Sequence, residues 1–109
     1  MRATALAIRD GRIVAIAPRE QIAGWQAEAE LSLPRHALLP GLVNTHHHLY
    51  QWVTRGLAAD HTLFQWLTTL YPIWAGIDEA AVRTAALGGL AQLALSGCTT
   101  TTDHHYVFP

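Results

Sequence analysis

The chain contains no lysine: its seven basic side chains are all arginine, set against eight acidic ones, so the formal net charge is −1. Binding to a polynucleotide needs a cluster or stripe of cations. With only 14% of residues charged, there is none, and a nucleic-acid partner is not expected. The single cysteine, Cys98, excludes an internal disulfide and reads as a small buried residue. No apolar run approaches the roughly 18–20 residues of a membrane span. Met1-Arg2-Ala3-Thr4 opens without the apolar core of a secretory leader. The expected compartment is therefore the cytoplasm, with no membrane partner. No internal repeat or low-complexity segment is present.

What the chain does have is histidine, seven in all, three of them consecutive. His46-His47-His48 follows directly on Pro40-Gly41-Leu42-Val43-Asn44-Thr45, a short apolar run opened by Pro-Gly. The run reads as a buried strand that delivers ligands. Side chains alternate along a strand, which puts His46 and His48 on one face and His47 on the other. Two neutral imidazoles so placed suit zinc, and also iron, nickel or copper. Two ligands do not close a site, so others must come from elsewhere. A polar loop or a purification tag is the bland alternative, but this run is internal, short and placed where an apolar strand ends.

Pro40-Gly41-Leu42-Val43-Asn44-Thr45-His46-His47-His48 resembles the proline-glycine and H-x-H signature of the amidohydrolase superfamily, metal-dependent hydrolases that deaminate ring substrates. In that family both histidines of the pair bind metal at the end of the first barrel strand, which implies His46 and His48 here. A narrower resemblance runs from about Ile8 to Pro109. His46-x-His48-x-x-Gln51, then Leu63-Phe64-Gln65-Trp66-Leu67, then Ser96-Gly97-Cys98-Thr99-Thr100-Thr101-Thr102-Asp103-His104-His105-Tyr106 is similar to guanine deaminases and, nearer still, to 8-oxoguanine deaminases. The resemblance implies substrate contacts from Gln51, Trp66 and Leu67, with His105 as a further candidate. It also implies one zinc ion per subunit, with iron as the alternative. H-x-H alone is common to many activities, whereas its combination with Gln51, Trp66 and the Asp103-His104-His105-Tyr106 cluster is selective.

The fold class implied is α/β: the N-terminal part of a metal-dependent (β/α)₈ barrel over residues 39–109, preceded by part of a small β-sandwich over residues 1–38. A complete barrel of this kind needs about 250 residues, so at 109 residues the chain is expected to be a fragment. The remaining metal ligands and the proton-shuttling residues are then expected beyond Pro109, and the fragment alone is expected to be inactive.

Taken in order, Ala5–Ile8 and Ile13–Ala17 flank Arg9-Asp10-Gly11-Arg12, and Asp-Gly is a strong hairpin signal. Residues 19–30 suggest a turn or short helix, followed by a strand near Leu31-Ser32-Leu33 and a turn at Pro34-Arg35-His36, where His36 is a solvated turn residue. Residues 49–60 read as a loop. Asp60 or Thr62 then caps a helix that Pro72 is expected to stop at about Tyr71. That helix is apolar almost all round, which predicts burial on more than one side and a homo-oligomer, a dimer in the first instance. Asp78 is a good cap for a second helix ending near Ser96, with Gly97 in the left-handed C-terminal position. Gly88-Gly89 within it suggests close approach of another element. The β-branched run Cys98–Asp103 reads as a strand, completing a parallel strand–helix–strand unit.

In a (β/α)₈ barrel, residues just past the strands face one mouth. His46, His48 and Gln51 leave the first strand there, and Asp103, His104 and His105 leave the second. Alternation separates His104 from Asp103 and His105 without fixing which faces inward. Asp103 could orient a ligand imidazole or touch substrate. The leading reading is zinc-dependent deamination of a purine base, 8-oxoguanine before guanine, with release of ammonia. Two rivals stand beside it: an s-triazine or other ring aminohydrolase or chlorohydrolase on the same scaffold, and a non-catalytic metal-binding domain.

Overall fold

A computed structural model describes residues 4–109, which fall into two units, Met1–Ala37 and Leu38–Pro109. In the first, β1 (Thr4–Arg9) and β2 (Arg12–Pro18) pair antiparallel, with Ile8 opposite Ile13 and Arg9 opposite Arg12. The two residues between them both have positive φ, 51° at Asp10 and 71° at Gly11. This is the backbone twist that a two-residue hairpin loop demands, and asparagine, aspartate and glycine adopt it most readily. A 3-10 turn, Arg19–Gln21, follows. The strand expected at Leu31-Ser32-Leu33 is not formed. A strand exists only by pairing, these residues have no ladder partner among the described residues, and Leu31 stays 82% exposed. His36 closes the expected turn, its ring Nδ1 2.9 Å from the Pro34 carbonyl.

The second unit is a strand–helix–strand crossover. β3 (Leu42–Asn44) and β4 (Cys98–Thr101) are parallel neighbours. The chain between them runs through a 3-10 helix (Leu49–Thr54), α1 (Leu63–Trp74) and α2 (Glu79–Leu95). β3 ends at Asn44, earlier than its apolar run suggests, and Leu42 and Val43 remain more than half exposed rather than buried. Leu42 pairs with Cys98 but Val43 with Thr100, so Thr99 is an extra residue that bulges out of the ladder. Gly41 sits against that bulge: a Cβ there would lie 2.8 Å from the Thr99 Cβ.

Residues 49–54 are helical, not loop. The 3-10 bond from Gln51 N–H to the His48 carbonyl (3.0 Å) belongs to a six-residue element too short to leave a periodic signal. α1 begins at the expected cap, where the Thr62 hydroxyl accepts from Gln65 N–H and the Gln65 side chain accepts from Thr62 N–H. It continues past Pro72 to Trp74. A proline removes the bond back to the carbonyl four residues earlier, but here the loss falls in the last turn, where little helix remains to be broken. α2 starts at Asp78, whose carboxylate accepts from Ala81 N–H at 2.8 Å, and Gly97 beyond its end has φ 85°. No helix among the described residues is long and apolar enough to cross a membrane.

The core is small and aromatic. Tyr50, Leu70 and Trp74 are almost completely buried, and Trp66, Leu67, Ile77, Val82 and Val107 pack around them. The Trp74 indole N–H donates to the Thr54 hydroxyl (2.9 Å), which itself donates to the Gln51 carbonyl (3.0 Å), so the buried polar atoms are paired. Gly89 is where α2 meets the 3-10 helix, since a Cβ there would come within 2.7 Å of a Leu49 methyl. The close approach inferred from Gly88-Gly89 is therefore real, and its partner is the 3-10 helix.

These contacts make the glycines unequal. Gly41→Ala forces backbone-anchored Thr99 to move and should lower stability by about 1–3 kcal/mol. Gly88→Ala meets only the Trp52 ring edge at 3.4 Å and, by its better helix propensity, should leave stability unchanged or raise it by up to about 1 kcal/mol. Urea unfolding of the two variants checks this, and an equal loss in both would contradict the close approach at Gly41.

Candidate functional site

Past β3 the chain stays extended long enough for alternation to operate. The Nε2 atoms of His46 and His48 approach to 3.1 Å, a contact in which His47 takes no part. Two nitrogens bound to one zinc at about 2.0–2.1 Å and tetrahedral angles stand about 3.3–3.4 Å apart, so the pair is close to chelating geometry as folded. The ring of His48 is fixed from behind: its Nδ1 lies 2.7 Å from the His104 carbonyl oxygen. A carbonyl only accepts, so Nδ1 carries the proton and Nε2 presents a bare lone pair, the tautomer that a metal-binding imidazole needs. The residues present thus fit a divalent metal at two positions. No group of three or more His, Cys, Asp or Glu suited to a metal ion occurs among the described residues.

Past β4 the alternation left open by the sequence is resolved. The His104 ring stacks on His46, with centroids 4.5 Å apart and planes at 28°. Asp103 and His105 share the other side, linked by 2.9 Å between Oδ2 and Nδ1. The Asp103 carboxylate is bonded to neither His46 nor His48; its Oδ1 accepts the Leu49 N–H at 2.8 Å. The acceptor that orients the His48 imidazole is a main-chain oxygen, which no side-chain pattern could have revealed.

An open cavity of about 360 Å³ lies against the histidine pair. Its walls include His46, His47, His48, Gln51 and Trp66, so four of the sequence-selected residues come together. Trp66 is both wall and core, since its ring also meets Trp74 edge-to-face at 5.0 Å. Two selected residues are not on the cavity. Leu67 packs beneath it against the Tyr50–Leu70–Trp74 cluster. His105 sits edge-on to Tyr50 (5.4 Å) and Phe108 (5.1 Å). Helical periodicity turns Leu67 away from the face that Trp66 presents, and past the end of β4 the Asp103 carboxylate holds His105 on its own side.

Sequence reasoning missed Trp52 and Arg55, both on the cavity wall, with the guanidinium 4.5 Å from the indole centroid. The 3-10 helix places them, and without that element their spacing carried no signal. The Gln51 amide donates to the Tyr50 hydroxyl at 3.2 Å, leaving its carbonyl oxygen and second N–H uncommitted. Burial pushes the Tyr50 hydroxyl above its ordinary pKa, an effect the Gln51 bond only partly opposes. Tyr50 is therefore neutral near pH 7. The His47 Nδ1 is buried without a hydrogen-bond partner among the described residues.

Comparison with known proteins gives the family. Residues 37–108 match the Amidohydrolase family. The 8-oxoguanine deaminase of Pseudomonas aeruginosa is 47% identical over 106 residues, covering 95% of this chain and 24% of that protein. The 5-methylthioadenosine/S-adenosylhomocysteine deaminase of Lawsonia intracellularis is 37% identical over 103 residues, covering 93% and 23%. A hydroxydechloroatrazine ethylaminohydrolase from a Pseudomonas species is 42% identical over 71 residues, covering 62% and 15%. The chain thus spans about a quarter or less of the length of these curated relatives. With the histidine pair and both strand ends inside the matched residues, the chain belongs to the amidohydrolase family.

Proposed function

We propose that this chain is the N-terminal portion of a zinc-dependent deaminase that hydrolyses a purine base, 8-oxoguanine or guanine, and releases ammonia. The observation that carries the reading is the His46/His48 pair, with Nε2 atoms 3.1 Å apart and the His48 tautomer fixed by the His104 carbonyl, opening on a cavity walled by Gln51 and Trp66. Two of the relatives are named as deaminases, which points the same way. In this reading residues 1–38 are part of a small β-sandwich, and residues 39–109 contribute the first strand–helix–strand portion of a (β/α)₈ barrel. The other metal ligands and the proton-transfer groups come from later strands.

When bound, a zinc ion supplies Lewis acidity that brings the ionisation of a water molecule to near neutrality; iron would serve similarly. The chain's own residues do the rest of the local work. His46 and His48 would hold the ion, His48 with its Nε2 lone pair already preset by the bond to the His104 carbonyl. Gln51 offers a donor and an acceptor together, matching the adjacent carbonyl and N–H of a guanine-type edge. Trp66 presents an aromatic wall along the flat ring, and Leu67 supports it from the core. The s-triazine reading draws on the ethylaminohydrolase relative, and turnover tests separate the two: chloride from a chlorinated triazine or an amine from an amino-triazine, with no ammonia from either purine, would replace the leading substrate class.

Three outcomes follow for the full-length enzyme. His46→Ala or His48→Ala should abolish tight zinc binding while His47→Ala keeps most of it, as read by elemental analysis; equal loss from all three would refute the pairing of alternate histidines. Gln51→Ala should lower kcat/KM about ten- to a hundredfold, the worth of leaving about 1–3 kcal/mol of buried hydrogen bonding unmade, with zinc retained. Unchanged kcat/KM with intact zinc would make Gln51 structural. Leu63, Phe64 and Tyr71 on α1 are 73%, 75% and 56% exposed, and burying them should make the enzyme a homo-oligomer. A monomer by light scattering at micromolar concentration would refute that.

A further inference from the structure

The metal-candidate segment is gripped at three consecutive positions by the end of β4. His104 N–H donates to the His47 carbonyl at 2.8 Å, the His48 Nδ1–H donates to the His104 carbonyl at 2.7 Å, and Leu49 N–H donates to Asp103 Oδ1 at 2.8 Å. Two of these grips use the main chain of His104, which almost any residue there could supply. The third depends on a side chain. Leu49 opens the 3-10 helix and is 7% exposed, so its N–H has no partner within that helix and little access to water. An acceptor must reach it from another part of the chain, and the Asp103 carboxylate does so.

We infer that Asp103, braced by His105, is a positioning residue for the His46/His48 pair: by holding Leu49 it fixes the chain one residue past His48 and so sets where the His48 imidazole presents Nε2. The inference rests on the reading of His46 and His48 as metal ligands. Asp103 bonds neither ring and acts through the Leu49 main chain. Its second oxygen accepts from His105 Nδ1 at 2.9 Å, and that ring meets Tyr50 and Phe108 edge-on, which braces the carboxylate toward Leu49. Without this hold, the segment keeps the two His104 bonds and the Gln51 N–H to the His48 carbonyl, but the Leu49 amide loses its partner and the chain just past His48 can shift. Displacing one of two nitrogens 3.1 Å apart spoils the angle both must make at one ion. Groups that orient metal ligands in this indirect way typically carry about 10–100-fold in metal affinity.

The test uses the full-length enzyme, stripped and reloaded, with zinc affinity measured by competition against a chromophoric chelator and ligand geometry read from the visible spectrum of the cobalt-substituted form. Asp103→Ala should weaken zinc about 10–100-fold and alter the cobalt bands. Asp103→Asn keeps an oxygen facing Leu49 N–H and should stay within about threefold of the unaltered enzyme, a rescue that loss of general packing would not give. His105→Phe preserves the aromatic packing but removes the brace, and should weaken zinc by a smaller factor with the same direction of spectral change. It also decides the matter if Asp103→Ala does not fold: zinc affinity and cobalt spectrum both unchanged in His105→Phe would overturn the proposal. So would Asp103→Ala holding zinc within twofold while His48→Ala loses it, a result that leaves the metal reading standing. If His48→Ala itself binds zinc normally, the metal reading fails and takes the positioning role with it.

Discussion

Everything at the candidate site depends on two very short strands being parallel. β3 and β4 have three and four residues, too few to be stable as a ladder by themselves. Parallel pairing nevertheless forces both chains to leave the sheet at the same end. That is why His46–His48 and Asp103–His105, more than fifty residues apart in sequence, meet within hydrogen-bonding distance. The crossover that makes the parallel arrangement possible also supplies its stability. α2 lies on the 3-10 helix through Gly88 and Gly89, α1 closes over Tyr50 with Leu70 and Trp74, and the bonds from His104 to His47 and His48 stitch the two exits together.

Core and cavity are not separate regions of this unit. Thr54 links them: its hydroxyl is bonded to Trp74 in the core and to the carbonyl of Gln51 on the cavity wall. Trp66 has one side on Trp74 and another on the cavity. Tyr50 is buried in the core yet receives the Gln51 amide. The side chain proposed to recognise a ring substrate is therefore held by the same aromatic cluster that keeps the unit folded, which gives it a fixed direction without a dedicated scaffold.

The legible parts of this chain were those with strong local chemistry. Asp10-Gly11 announced the hairpin, Thr62 and Asp78 announced helix starts, and Gly97 announced a helix end, because each satisfies a backbone need that few other residues can meet. The proximity of His46 and His48 was legible for the same reason, from alternation alone. What the sequence concealed was decided by partners distant in the chain. Leu31-Ser32-Leu33 has the composition of a strand but lacks a neighbour to pair with. The 3-10 helix at Leu49–Thr54 is too short for a period, so Trp52 and Arg55 could not be placed on the cavity. Pro72 reads as a stop, yet it sits where only one short stretch of helix remains to be disturbed. Whether His104 or His105 faces the histidine pair depends on strand register, and the register depends on a bulge.

That bulge gives the threonine run an unusual kind of information. Thr99, Thr100, Thr101 and Thr102 are chemically identical, and swapping one with another changes nothing. Their number is another matter. Thr99 is the one residue that the ladder skips, so the count between Gly97 and Asp103 determines whether the bulge can exist. With one threonine fewer the strand keeps Asp103 and His104 in place only by giving up the bulge against Gly41, although composition, hydrophobicity and strand propensity are almost untouched. In this segment the protein stores its geometry as a length, and a gap of a single residue is a larger edit than any substitution within the run.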